Sequence, residues 1–173
     1  MRRIDRVGAI VRDAGREGMS MRNGSVVVLM MALAAPAFAD ATADAKAHDE
    51  AFAKACGAGD VKAVVALYTD DAFVIWPGVG EEARGKAAIE KLATNLCDPK
   101  ANTKPVLKSD VGVQLDRSHI AIIGHWEVTQ TGPDGKPTTS QIRTSEIIVK
   151  TAAGWRYLVD HASIGQPASE PAK

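Results

Sequence analysis

Four side chains stand out as able to hold a small molecule: Tyr68, Trp76, Arg143 and His161. Tyr and Trp each offer a flat apolar body with one hydrogen-bonding tip, which suits stacking on a planar ligand. Arg and His offer donors that suit an anionic or carboxylate-bearing ligand. The segment from Trp155 to Ile164 reads as a strand, and strand neighbours point to opposite faces. His161 then shares a face with Trp155, Tyr157, Val159 and Ser163, while Asp160 sits with Arg156, Leu158 and Ala162. Asp160 and His161 therefore make no dyad unless the strand bulges between them. If His161 faces an interior cavity, Arg143 on the neighbouring strand is its companion, and the unknown small-molecule partner is expected to be anionic. The alternatives are that Arg143 pairs structurally with Glu146 or Asp160, or that Arg143 and His161 meet a second subunit. Tyr68 and His48 are read first as packing residues, and Trp76 fills a core as well as it stacks on a ligand. No spacing of His, Cys, Asp and Glu resembles a metal site. Neither a phosphate loop of the G-x-x-x-x-G-K type nor a G-x-S-x-G elbow occurs, so neither a metal nor a cofactor is expected.

The elements that position these residues follow from periodicity. Residues 42–57 place Ala45, His48, Phe52 and Cys56 at helical spacing, with Gly57 as a stop. Asp60 caps a short helix whose Val61, Val64, Leu67 and Tyr68 share one face. A strand from Ala72 to Trp76 follows, then the loop PGVGEEARG. A third helix starts near Lys86, places Ile89, Leu92 and Leu96 on one side, and ends at Asp98-Pro99. Beyond it, Val111, Val113 and Leu115 alternate. Residues 119–131 and 138–150 form two long strands split by the turn signal Gly132-Pro133-Asp134-Gly135. A turn at residues 151–154 leads into the last strand. Helices first and an antiparallel meander after them predict an α+β domain, with three helices covering one face of a curved antiparallel sheet.

The stretch "AGDVKAVVALYTDDAFVIWPGVGEEARGKAAIEKL" and the close "RTSEIIVKTAAGWRYLVDHAS" give this pattern a resemblance. Their order and spacing resemble the SnoaL-like, ketosteroid-isomerase-like branch of the nuclear transport factor 2-like superfamily. That superfamily also includes the association domain of calcium/calmodulin-dependent kinase II. The resemblance spans roughly residues 45–165. It implies a cone-shaped fold enclosing a cavity and a homodimer formed through the sheet. It also implies where isomerase chemistry would reside: a base directly before the strand-ending Pro and a Tyr donor on the first helix. Those positions hold Trp76 and Phe52. Trp takes no proton and Phe donates none, so ketosteroid isomerase activity is not expected. The expected function is a binding or dimerisation module with a small-molecule cavity. The alternative is an isomerase- or cyclase-like enzyme with another acid or base, such as His161, Asp160 or Glu146.

The 173 residues suffice for one domain, and 46% apolar with 24% charged residues describes a globular chain. No Lys/Arg run exceeds two, so nothing points to nucleic acid or a membrane surface as partner. The ten-residue apolar run Val26–Ala35, broken by Pro36 and followed by Ala37-Phe38-Ala39, reads as a secretory signal cleaved after Ala39. The expected organisation is an extension over 1–20, a signal peptide over 21–39, the domain over 40–165 and a tail over 166–173. Cleavage removes six Arg and three acidic residues from 21 of each, leaving 15 basic and 18 acidic residues and a net charge of −3. In the oxidising periplasm or medium the two cysteines, Cys56 and Cys97, are expected to pair. Each continues the apolar face of a helix at its C-terminal end.

Overall fold

A computed structural model describes residues 38–77 and 82–165. The proposed extension, most of the signal peptide and the C-terminal tail lie outside the described residues. Two helices open the fold, α1 (Phe38–Gly57) and α2 (Val61–Ala66). They are followed by β1 (Tyr68–Ile75), the short β2 (Glu82–Arg84) and α3 (Gly85–Leu96). A 3₁₀ turn (Pro99–Ala101) precedes β3 (Lys104–Gln114), β4 (His119–Thr131), β5 (Pro137–Thr151) and β6 (Gly154–Ile164).

The architecture is α+β, with one open, curved six-stranded sheet in the order β2-β1-β6-β5-β4-β3. The antiparallel expectation holds for the meander β3–β6 but not for the whole sheet. β1 runs parallel to β6, so the sheet is mixed. The α3 excursion carries the chain away between β1 and the meander, and the last strand returns to lie beside the first. β2 is too short to register as an alternating pattern, and it pairs with the end of β1.

Local chemistry accounts for the starts and stops. The Asp60 side chain accepts the Ala63 N–H at 3.0 Å and caps α2. Tyr68 does not end that helix as its spacing suggested. It opens β1 instead, and the acidic pair Asp70-Asp71 lies inside the strand on exposed positions. Asp98 caps the 3₁₀ turn through Lys100 N–H at 2.9 Å, with Pro99 at its first position.

α1 packs on β3. A side chain at Gly112 would place its Cβ only 2.3 Å from the Ala41 carbonyl, so glycine permits this approach. Thr42 and Gly112 exchange hydrogen bonds across the seam. Cys56 at the end of α1 and Cys97 just past α3 form a disulfide, with Cα atoms 4.9 Å apart. The core lies between the helices and the inner sheet face. It contains Ala45, Val64, Val74, Ile89, Ile120, Ile122, Ile148 and the two tyrosines Tyr68 and Tyr157. None of the described helices is long and apolar enough to cross a membrane.

Candidate active site

The inner face of the sheet is set by alternation on β5. Ile142, Thr144, Glu146 and Ile148 point inward, and Arg143 and Ser145 point outward. On β6 the alternation is interrupted. Ile148 pairs with Tyr157 but Ile147 pairs with Val159, which leaves Leu158 as an extra, bulged residue. A bulge moves every later residue to the opposite face. Tyr157, Asp160 and Ala162 therefore all face inward, and His161 is exposed on the outer face.

Arg143 is also exposed, so this pair does not meet in the cavity. The expectation of an anionic ligand rested on these two side chains. Arg143 forms no salt bridge to Glu146 or Asp160 either, since both carboxyls lie on the other face. Tyr68 and Trp76 are brought together, both buried and with ring centroids 6.4 Å apart.

Trp76 borders a cavity of about 240 Å³ between α1, the inner sheet face and the 96–105 connection, whereas Tyr68, expected at the ligand, is not among its lining residues and reaches it only through its bond to Asp160. Phe52, Trp76, Trp126 and Tyr157 contribute aromatic walls. Phe52 stands edge-on to the other three, with centroids 5.9 to 6.4 Å away. Two carboxyl groups also line it, Glu146 and Asp160, which are Cα partners across the β5–β6 ladder. No Lys, Arg or His is among the residues that line it.

The two carboxyls differ in their partners. Asp160 Oδ2 accepts the Tyr68 O–H and the Trp76 indole N–H, each at 2.7 Å. Asp160 thereby ties the start of β1 to the residue just beyond its end. Burial raises the Asp160 pKa, and these two donors act in the opposite direction by favouring the ionised form. Glu146 Oε2 is buried with no hydrogen-bond partner. Burial first, and then the charges of Asp49 and Asp160, push the Glu146 carboxyl well above its ordinary range. Two donors thus favour charge on Asp160, and none reaches Glu146 Oε2. Burial and the nearby Asp160 charge also push Tyr68 well above 10, so it remains a donor.

A second acidic group lies behind the first. Tyr157 donates its O–H to Asp49 of α1, and Asp110 on β3 is the charged neighbour of Asp49. Burial and the Asp110 charge raise Asp49 to about 8, and burial raises Asp110 to about 6. Gly124 opposite Asp110 makes room for this cluster. A Cβ there would lie 2.4 Å from Thr144 Oγ1, 2.9 Å from Trp126 Nε1 and 3.1 Å from Asp110 Oδ1. His48 packs tilted against Tyr157 with centroids 4.2 Å apart, and burial followed by the Arg156 charge lowers its pKa to about 4. It is thus a neutral packing residue at pH 7. Among the described residues no cluster of His, Cys, Asp and Glu is arranged to hold a metal ion.

Trp76 occupies the position where the resemblance places a base, yet its N–H addresses a carboxylate from the last strand. The side chains with acid–base capacity in the cavity are thus Asp160 and Glu146, with Tyr157 between them and Asp49. The inward placement of Glu146 was legible, because it alternates in phase with Ile142 and Ile148. That of Asp160 was not, because the Leu158 bulge leaves no mark in the residue types.

Comparison with known proteins places this arrangement. The fold matches an NTF2-like protein with a cystatin-like fold from Novosphingobium aromaticivorans at 17% identity, covering 76% of this chain and 86% of that one, with a TM-score of 0.63. A candidate aromatic ring hydroxylase from the same species matches at 20% identity, over 77% of this chain and 93% of that one, with a TM-score of 0.67. A ketosteroid isomerase-like protein from Erwinia carotovora atroseptica matches at 24% identity, over 75% of this chain and 100% of that one, with a TM-score of 0.61. At these identities the likeness is one of fold. No match was found among curated proteins. The family model of the SnoaL-like domain matches residues 46–167, most of the chain, and the protein belongs to the SnoaL-like domain family.

Proposed function

We propose that this protein is an acid–base enzyme acting on a small, largely apolar molecule held in the inner cavity. Glu146 is the proton donor and Asp160 the acceptor. The observation that carries this reading is the facing pair itself: two carboxyls on neighbouring strands line one cavity, one accepting two donors and one with an oxygen left unpaired. Two carboxyls with separated proton affinities are the ordinary solution for moving a proton off carbon and onto a leaving or carbonyl oxygen. Tyr68 and Trp76 hold the acceptor in place. The reaction class is isomerisation, dehydration or cyclisation.

The test is proton chemistry in D₂O, followed by NMR, on a panel of small β-hydroxy and β-amino ketones. The wild type is expected to exchange α-hydrogens or eliminate water or amine from at least one member. Glu146→Gln should slow this by about a hundredfold or more, the scale of general acid catalysis. A second reading, capture without turnover, is favoured by Phe52 and Trp76 at the positions where the resemblance places phenol and base. Panel members that bind to the wild type but do not react would select it.

Export and pairing belong to the same proposal. Cleavage after Ala39 would deliver a mature chain beginning at Asp40 to the periplasm or medium. The Cys56–Cys97 bond suits an oxidising compartment. A homodimer would bury the outer sheet face, where Val111, Val113 and Ile123 are exposed.

A further inference from the structure

We infer that the ligand of this cavity is a small organic cation, an ammonium- or iminium-bearing molecule with an apolar body. The inference rests on the cavity being the ligand site, and it adds the charge class. Three observations converge on it.

The first is an unbalanced charge. Asp160 is buried and is met by two neutral donors, Tyr68 and Trp76, rather than by a cation. A buried carboxylate without a counter-charge is costly, and the cost is relieved when a cation enters. No basic side chain lines the cavity to do so from the protein. Arg143 and His161, the side chains that could have supplied one from β5 and β6, stand on the outer face.

The second is the orphan. Glu146 lines the cavity, is itself more than nine-tenths buried, and leaves Oε2 with no partner. An ammonium N–H is the kind of donor that this oxygen lacks. An anionic ligand would meet two carboxyl groups and no basic side chain here.

The third is the wall. Phe52, Trp76, Trp126 and Tyr157 surround the carboxyls. Aromatic faces attract cations through their quadrupole, most strongly when water is excluded, and quaternary ammonium groups are recognised in this way. A site for neutral molecules needs aromatic walls but not a buried carboxylate among them.

The experiment compares three probes of similar body and different charge on the purified mature protein. Benzylammonium, benzyl alcohol and benzoate are titrated at neutral pH by calorimetry, with tryptophan fluorescence as a second readout. The ammonium is expected to bind one-to-one and at least about tenfold more tightly than the alcohol, with benzoate weakest. Asp160→Asn should reduce the ammonium preference severalfold and leave the alcohol nearly unchanged, whereas Glu146→Gln, which keeps a neutral acceptor oxygen in place, should change the preference little. Binding of the alcohol or benzoate as tight as that of the ammonium in wild type overturns the inference, and so does the absence of ammonium binding. A preference that persists in folded Asp160→Asn places the cation elsewhere and overturns it too. The wild-type comparison decides the matter even where a variant does not fold. Equal affinities for alcohol and ammonium would remove the charge class and leave the acid–base reading to its own test in D₂O.

Discussion

At the scale of single residues, the protein shows one carboxylate organised by two donors from outside its own strand. Tyr68 and Trp76 flank β1 and both address Asp160 Oδ2. A hydrogen bond to a buried charged group contributes more than a neutral one, about 1.5 to 3 kcal/mol. Tyr68→Phe keeps the ring in the core and removes one of the two donors. It should lower stability at pH 7 by about that amount, read from urea denaturation midpoints at unchanged m value. A loss under about 0.5 kcal/mol would show that Asp160 is not the charge described. Tyr68 and Trp76 were legible as a pair worth watching, because their residue types combine a flat body with a donor. The object they serve was not legible. Simple alternation on β6 puts Tyr157 with His161, and the Leu158 bulge puts it with Asp160 instead. Alternation yields two faces without naming the inner one, and Arg143 was read inward only as the companion of His161. For β5 the apolar residues in phase with Glu146 settle that question, and for β6 they do not.

At the scale of elements, helix faces and turn residues transmit through the sequence, whereas strand pairing does not. Asp60, Gly57 and Asp98-Pro99 end and begin helices by local hydrogen bonding, and the structure places those boundaries within a few residues of where their types predict. β1 next to β6 is a pairing over some ninety positions of chain, fixed by the shared core and not by any residue in either strand. The helix ends show the intermediate case. Cys56 and Cys97 each continue an apolar stripe, which brings both onto the sheet-facing side, and the bond between them links α1 to the end of α3. The bond also anchors Leu96, Thr103 and Pro105, which form one wall of the cavity. Thr103 Oγ1 donates to the Leu96 carbonyl, and the Gln130 amide donates to Thr103, so this wall is stitched as well as clamped. The closed loop spans 41 positions. Its removal should cost up to about 4 kcal/mol by the loss of chain constraint in the unfolded state. The Cys56→Ala, Cys97→Ala double variant measured against the oxidised wild type by urea denaturation gives the number. An unchanged midpoint would show that the bond does not form in the protein as made.

At the scale of the whole molecule, four buried or half-buried carboxyls with few counter-charges must govern how stability responds to pH. Asp49, raised to about 8 by burial and by the charge of Asp110, binds a proton in the folded state far above the pH at which it releases one when unfolded. Glu146, raised by burial and by Asp49 and Asp160, acts in the same sense. For a raised carboxyl, the favourable contribution is complete below the unfolded value near 4 and is lost as pH climbs through the folded value. Asp110, raised to about 6, completes its loss earlier. His48 works against these in the acid range. Its pKa is lowered to about 4, so the folded state holds fewer protons than the unfolded chain between about pH 4 and 6.5, and stability rises with pH across that window. Above about pH 6.5 the histidine no longer contributes, and the carboxyls alone set the slope. Stability should therefore fall between about pH 6.5 and 8.5, by roughly 1 to 2 kcal/mol for the single proton that Asp49 gives up. Thermal unfolding across this range should show a fall of several degrees in Tm. Asp49→Asn keeps an acceptor for Tyr157 and removes its own titration, so the fall should become shallower and leave the part that Glu146 contributes. A wild-type Tm that stays level or rises from pH 6.5 to 8.5 would mean that the acids behind the cavity are paired in a way this structure does not contain.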